Sequence, residues 1–156
     1  MRNKIMIQID KPYGYYSIPD DWKEKEYYCK DEQYVSVFCP RTESQERHYS
    51  NVSVLARASQ YTLSEHNIFK SIIVSQLESK ARVLGFDWVT GMGSFNKKGY
   101  PVYRFSMVKK DEEAISQYYI IGEKRFCMMQ LTDYSNEQQC SYETILRDMM
   151  ESFVWN

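Results

Sequence analysis

Alternation of apolar and polar residues marks the strands of this chain. Asn51 to Ala58 sets Val52, Val54 and Ala56 on one face against Ser53, Leu55 and Arg57 on the other, the pattern of a strand with one buried side. Tyr34 to Cys39 alternates in the same way, with Val35 and Val37 set against Tyr34, Ser36 and Phe38, and Pro40 stops it. Tyr13 to Ile18 predicts a short strand closed by Pro19 and the turn-forming Asp20-Asp21. Trp22 follows and is expected to pack back on the sheet, and Lys23 to Tyr28 predicts a second short strand.

The period then changes from two to about 3.6. Phe69, Ile72, Ile73, Leu77, Ala81 and Leu84 recur at three- and four-residue spacing, with Lys70, Ser71, Glu78 and Arg82 opposite, so one apolar stripe runs along a helix. Thr62-Leu63-Ser64-Glu65 has the form of a capping box at its start, and Gly85 suits the residue just past its end. A helix with one stripe lies on a sheet.

The second half reads as an antiparallel meander: Phe86 to Phe95, Pro101 to Val108, Glu113 or Ala114 to Ile121, and Arg125 to Leu131. Its turns are Asn96-Lys97-Lys98-Gly99, Asp111-Glu112 and Gly122-Glu123-Lys124. Ser141 is the predicted cap of a closing helix whose stripe is Ile145, Leu146, Met149, Met150 and Phe153, and Trp155 is expected to fold over an edge of the core. The polar run 41–50 reads as a surface loop. No repeat or linker divides the chain, so residues 1–156 are read as one α+β domain. It has a central antiparallel sheet of about six to seven strands, with the long middle helix and the C-terminal helix packed against it.

Composition narrows the function classes. Twenty basic residues against 21 acidic ones give a net charge of −1, which disfavours a nucleic-acid footprint. Residues 1–10 have a basic start, but Gln8 and Asp10 interrupt the isoleucines, so no leader is read there, and no stretch is long enough to span a membrane. The expected location is the cytoplasm, or outside it if a leader has been removed. Cys29, Cys39, Cys127 and Cys140 form no paired motif and read as free thiols, with a disulfide open in an exported protein.

Candidate chemistry is sparse. His48 and His66 have no Cys, Ser or Asp partner at a spacing that suggests a triad or a metal site. The acidic runs Asp20-Asp21, Asp31-Glu32 and Asp111-Glu112-Glu113 sit beside turn signals and read as solvated turns. Gly91-Met92-Gly93 lacks the spacing of a phosphate loop and reads as a strand bulge or as close packing against the long helix. No catalytic residue, cofactor or metal is expected.

Aromatic residues make up 15% of the chain and Met occurs eight times; half-buried strands and core filling are the first reading of both, and an adaptable apolar binding surface is the alternative. The residues singled out for it are Tyr118, Met128, Met150 and Trp155. Any apolar groove is expected between the meander's exposed face and the C-terminal helix.

Tyr16, Ile18, Pro19 and Trp22, within Tyr15-Tyr16-Ser17-Ile18-Pro19-Asp20-Asp21-Trp22, resemble the "F-x-I-P-x-x-W" opening of proteins with the PsbP/Mog-like fold. Asn51-Val52-Ser53-Val54 is similar to that group's strand before its long helix. The ending Ile145 to Phe153 resembles its closing "il-x-x-m-l-x-S-F" helix. The resemblance implies a central antiparallel sheet with helices on its faces, in a group that is mostly non-enzymatic. The leading expectation is therefore a non-catalytic domain of adaptor, chaperone or immunity type, a monomer or homodimer that binds another protein. The alternative is a small-ligand domain with its pocket between sheet and helix, and an enzyme ranks last.

Overall fold

The structure, a computed structural model, describes residues 5–43, 49–109, 112–132 and 139–156. Seven antiparallel strands make the main sheet. In chain order they are β3 (Trp22–Lys30), β4 (Gln33–Pro40), β5 (Asn51–Ala58), β6 (Asp87–Phe95), β7 (Pro101–Lys109), β8 (Glu112–Gly122) and β9 (Arg125–Thr132). Across the sheet they run β3-β4-β5-β9-β8-β7-β6, so the β6–β9 meander joins the first block through the β5–β9 pair. A smaller sheet holds β1 (Met6–Lys11), β2 (Gly14–Pro19) and β10 (Val154–Trp155), with β2 in the middle.

Helix α1 (His66–Leu84) starts from a 3₁₀ turn over Leu63–Glu65. The Glu65 carboxylate accepts from both the backbone N–H (3.0 Å) and the hydroxyl (2.9 Å) of Thr62, satisfying a donor that the helix itself leaves unpaired. Gly85 adopts φ +74°, and the next N–H, of Phe86, donates to the Ala81 carbonyl at 2.8 Å. A side chain at 85 would strain this left-handed exit. Helix α2 runs over Gln139–Ser152, so Ser141 lies in its first turn and the helix begins two residues before the expected cap.

Two cores flank the main sheet. On one face Val52, Val54, Ala56, Ile120, Cys127, Met129 and Leu131 pack with Ile145, Leu146, Met149 and Met150 of α2 and Tyr16 and Ile18 of β2. Trp22 is buried edge-on to Tyr142 of α2, ring centroids 5.6 Å apart. On the other face Phe69, Ile73 and Leu77 of α1 pack on Tyr103, Phe105, Tyr119, Ile121 and Phe126.

The glycines of β6 serve this second core. A Cβ at Gly91 would sit 2.4 Å from the Phe105 ring and one at Gly93 3.1 Å from the Tyr103 ring, and the strand bulges between Val89 and Met92. The bulge reading of Gly91-Met92-Gly93 holds, and the glycine space is filled by rings of the sheet rather than by the long helix.

Strand β1 was not among the expected elements. Its Ile7 and Ile9 alternate with Gln8 and Asp10, the very residues that interrupt a leader-like run. At the far edge of the main sheet, β3 is extended to Lys30 and hairpins into β4 through Asp31 and Glu32, both with positive φ. The Asp20-Asp21 pair likewise occupies the connection from β2 to β3.

Asn96 ties the meander to the C-terminal segment. Its amide donates to the carbonyls of Met150 (3.3 Å) and Phe153 (3.0 Å), and its Oδ1 accepts from the N–H groups of Lys98 (3.0 Å) and Tyr100 (3.1 Å). It is 5% exposed, so its removal strands several buried polar groups. We expect Asn96→Ala to lower unfolding stability by about 2–4 kcal/mol in urea titration, and Asn96→Asp to recover little, because Asp keeps only the acceptor.

Candidate functional site

The face of the main sheet that carries α1 is covered unevenly. Register places Tyr28, Val35, Leu55, Met128, Tyr119, Tyr103 and Gly93 in one row across all seven strands. Residues directly opposite on neighbouring strands point to the same side, so this row shares the face of α1. The helix packs mainly over β6 and β7, and the core beneath it reaches Tyr119 and Phe126. Beyond them, Met128, Leu55 and Val35 are half-buried and Tyr28 is exposed. Val37, in the adjacent row opposite Glu26 and Ser53, extends this apolar strip.

Between α1 and this strip runs an apolar groove of about 740 Å³. Leu55, Tyr119 and Phe126 form its floor, Phe69, Ile72, Ile73 and Gln76 its wall, and the segment 58–61 its end. The floor is rigid aromatic packing: Phe69 lies 5.1 Å from Phe126 and 5.9 Å from Tyr119, centroid to centroid, and Tyr61 meets Phe69 edge-on at 6.0 Å. Among the described residues Arg57 is the one charged side chain in the lining, held with its guanidinium 5.4 Å from the Phe126 ring centre.

Burial pushes the Tyr119 hydroxyl up to about 12, with Arg57 pulling in the opposite direction. The groove floor is therefore neutral at ordinary pH. On the other face burial raises Tyr13 and Tyr16 still further, and their hydroxyls lie 3.3 Å apart.

Three of the four residues singled out from the sequence lie elsewhere. Tyr118, Met150 and Trp155 are buried in the core on the α2 side. Trp155 packs edge-on to Phe153 at 4.8 Å, under Arg125, whose guanidinium is 4.3 Å from its ring, and close against Gly122. Only Met128 belongs to the apolar strip. On the face where a groove was expected, α2 and the small sheet pack on the main sheet, leaving a pocket of about 260 Å³ beside Lys97, Asp148 and Glu151; the groove of about 740 Å³ lies beside α1. Leu55 and Ile72, which the sequence reading placed on a strand's polar face and within a helix stripe, turn out to line it.

Among the described residues the remaining candidates gather no reactive geometry. His66 Nδ1 is 2.5 Å from the Tyr103 hydroxyl, which donates to Asn67 Oδ1 at 3.0 Å, a bridge that fastens the start of α1 to β7. His48 lies outside the described residues, as does Asp111. Among the described residues no cluster of three His, Cys, Asp or Glu side chains could hold a metal, and Cys29 and Cys127 are free thiols. No helix among them is long and apolar enough to cross a membrane.

The architecture is an α+β sandwich of PsbP type: a seven-stranded antiparallel sheet with the long helix on one face and the C-terminal helix on the other. The particular likeness is to the solution structure of cyanobacterial PsbP (CyanoP) from Synechocystis sp. PCC 6803, at a TM-score of 0.60 over 97% of this chain and 92% of that one. Sequence identity is 9%, so the likeness is one of fold. No protein-family model and no curated protein matches the sequence.

The tyrosine environments set an alkaline limit. A phenol whose folded value lies above its ordinary value near 10 contributes stability that is complete below about pH 10 and lost as pH rises through the folded value. We expect the urea midpoint to show no tyrosine-linked change up to about pH 9 and to fall steeply between about pH 10 and 12. Ultraviolet titration should show a late-ionising group that Tyr119→Phe removes. A folded chain whose tyrosines all ionise together near pH 10 would contradict the burial.

Proposed function

We propose that the chain is a non-catalytic binding domain that recognises another protein through the α1-side face of its main sheet. The observation that carries this reading is the row Tyr28–Val35–Leu55–Met128, an apolar strip continuous with the groove beside α1 and left half-exposed. Exposed apolar area of this kind, on a rigid strand framework, is characteristic of interaction surfaces. Its aromatic members offer large contact area with few rotatable bonds, and Arg57 adds one cation at the rim. No nucleic acid is expected, given the net charge of −1.

A second reading rests on the groove alone. Its volume suits an apolar small molecule, and the floor Leu55–Tyr119–Phe126 with the wall Ile72–Ile73 would enclose one. The strip across β3 to β5 has no use in that reading, which is why protein binding leads.

A photo-crosslinking amino acid placed at Leu55 separates the two. Irradiation in native lysate is expected to trap one discrete protein, and the same label at Glu78 on the outer side of α1 is expected to trap none. Trapping at both positions alike, or no protein adduct together with a co-purifying small molecule in native mass spectrometry, would sink the protein-binding reading.

A further inference from the structure

We infer that the occupant of this face is an amphipathic helix of a partner protein, lying beside α1 and carrying acidic residues on the flank nearest Arg57. The inference rests on the protein-binding reading above and names the partner's shape and charge.

Shape comes first. From β9 to β3 there are three strand spacings, roughly 14 Å at about 4.8 Å each. A helix with its side chains is about 10–12 Å wide. The half of the face beyond α1 therefore accepts one helix, packed against the strip Tyr28–Val35–Leu55–Met128 below and α1 at its side.

The side of α1 supports this. At about 100° per residue, Ile68, Gln76, Ser79 and Val83 all fall within about 40° of Ile72, which lines the groove. This is a second stripe, separate from the Phe69–Ile73–Leu77–Ala81 stripe that meets the sheet. It contains no charged residue, and Ile68 and Val83 are 50% and 85% exposed. A stripe spaced by three and four residues, with uncharged members along 16 positions of helix, is what a neighbouring helix packs against.

Charge sets the partner's polarity. Arg57 lies on the same strand face as Leu55, and Lys30 on the same face as Tyr28, so both cations border the strip on one side. Glu26, opposite Val37, borders it on the other. A helix with an acidic flank over Arg57 matches this border, and a basic flank there meets like charge, whereas Lys30 is followed by Asp31 and Glu32 in the hairpin.

A second copy of the chain fits less well. The outward side of α1, which a facing copy would have to lay on the strip, carries Asn67, Ser71, Ser75, Glu78 and Arg82, all exposed polar side chains. Of the second stripe, Ile72 and Gln76 turn into the groove.

The test is a display selection with the full chain as bait. It uses two libraries of about 20-residue peptides. One fixes a helical apolar stripe and randomises both flanks among acidic, neutral and basic residues; the other is built of extended, proline-containing sequences. Enrichment is expected from the helical library, with acidic residues on one flank. Ile68→Glu and Val83→Glu change exposed positions of α1 and leave the fold intact by circular dichroism, and each should weaken the selected peptides about tenfold or more. Arg57→Glu should shift the preference towards basic flanks, and added salt should reduce the original preference.

Winners from the extended library, an absence of flank bias, insensitivity to Ile68→Glu and Val83→Glu, or a concentration-dependent dimer that masks the strip would each overturn the inference. If crosslinking from position 55 still traps a protein while the extended peptides win, only the helical partner is wrong. If neither experiment gives binding, the protein-binding reading falls with it.

Discussion

Sheet width is the constraint from which the rest of the structure follows. Seven strands at about 4.8 Å spacing span roughly 29 Å, whereas one helix covers about 10–12 Å. On one face the chain meets this width with two elements, α2 and the small β1-β2-β10 sheet, which together bury Tyr16, Trp22, Phe38, Met129 and Phe153 almost completely. On the other face only α1 is present among the described helices, and it cannot reach β4 and β3. The apolar strip is the consequence of one helix facing seven strands.

The two faces are stabilised differently. The α2 side is locked by the C-terminus: Val154 and Trp155 pair with β2, Asn156 N–H donates to the Tyr13 carbonyl, and Asn96 holds the carbonyls at the end of α2. Fully burying each of its large apolar side chains contributes about 1.5–3 kcal/mol, so this side holds most of the stability. The α1 side is a ring cluster of Phe69, Tyr103, Phe105, Tyr119 and Phe126, pinned at the helix start by the His66–Tyr103–Asn67 bridge. Its tight packing leaves the adjoining strip with a rigid border, which lowers the entropy lost when a partner docks.

The residue pattern already contained much of the main fold. Alternation in β5, the Thr62–Glu65 signal and the Gly85 exit were legible because each depends on neighbours within a few residues. Ser141 proved to be the third residue of α2 rather than its cap, since short polar residues suit the first turn of a helix as well as its cap. Strand β1 was missed because its alternation gains meaning only when β2 pairs with it. The site was largely illegible. Leu55 looked like a residue on a strand's solvent side, and Ile72 like an ordinary member of a helix stripe; nothing in either segment says that they face a common groove.

Sequence by itself determined which residues could be strands, where the long helix starts and stops, and that no familiar catalytic spacing is present. Those are local properties, set by periodicity, caps and turns. Only the tertiary structure decided which apolar residues stay accessible. Tyr118, Met150 and Trp155 carry large apolar surfaces as Met128 does, yet the α2 face buries them, while register across β3, β4, β5 and β9 aligns Met128 with Leu55, Val35 and Tyr28 at the side of α1. Exposure is a sum over elements distant in the chain, and it is fixed only when the sheet order and the one helix on that face are in place.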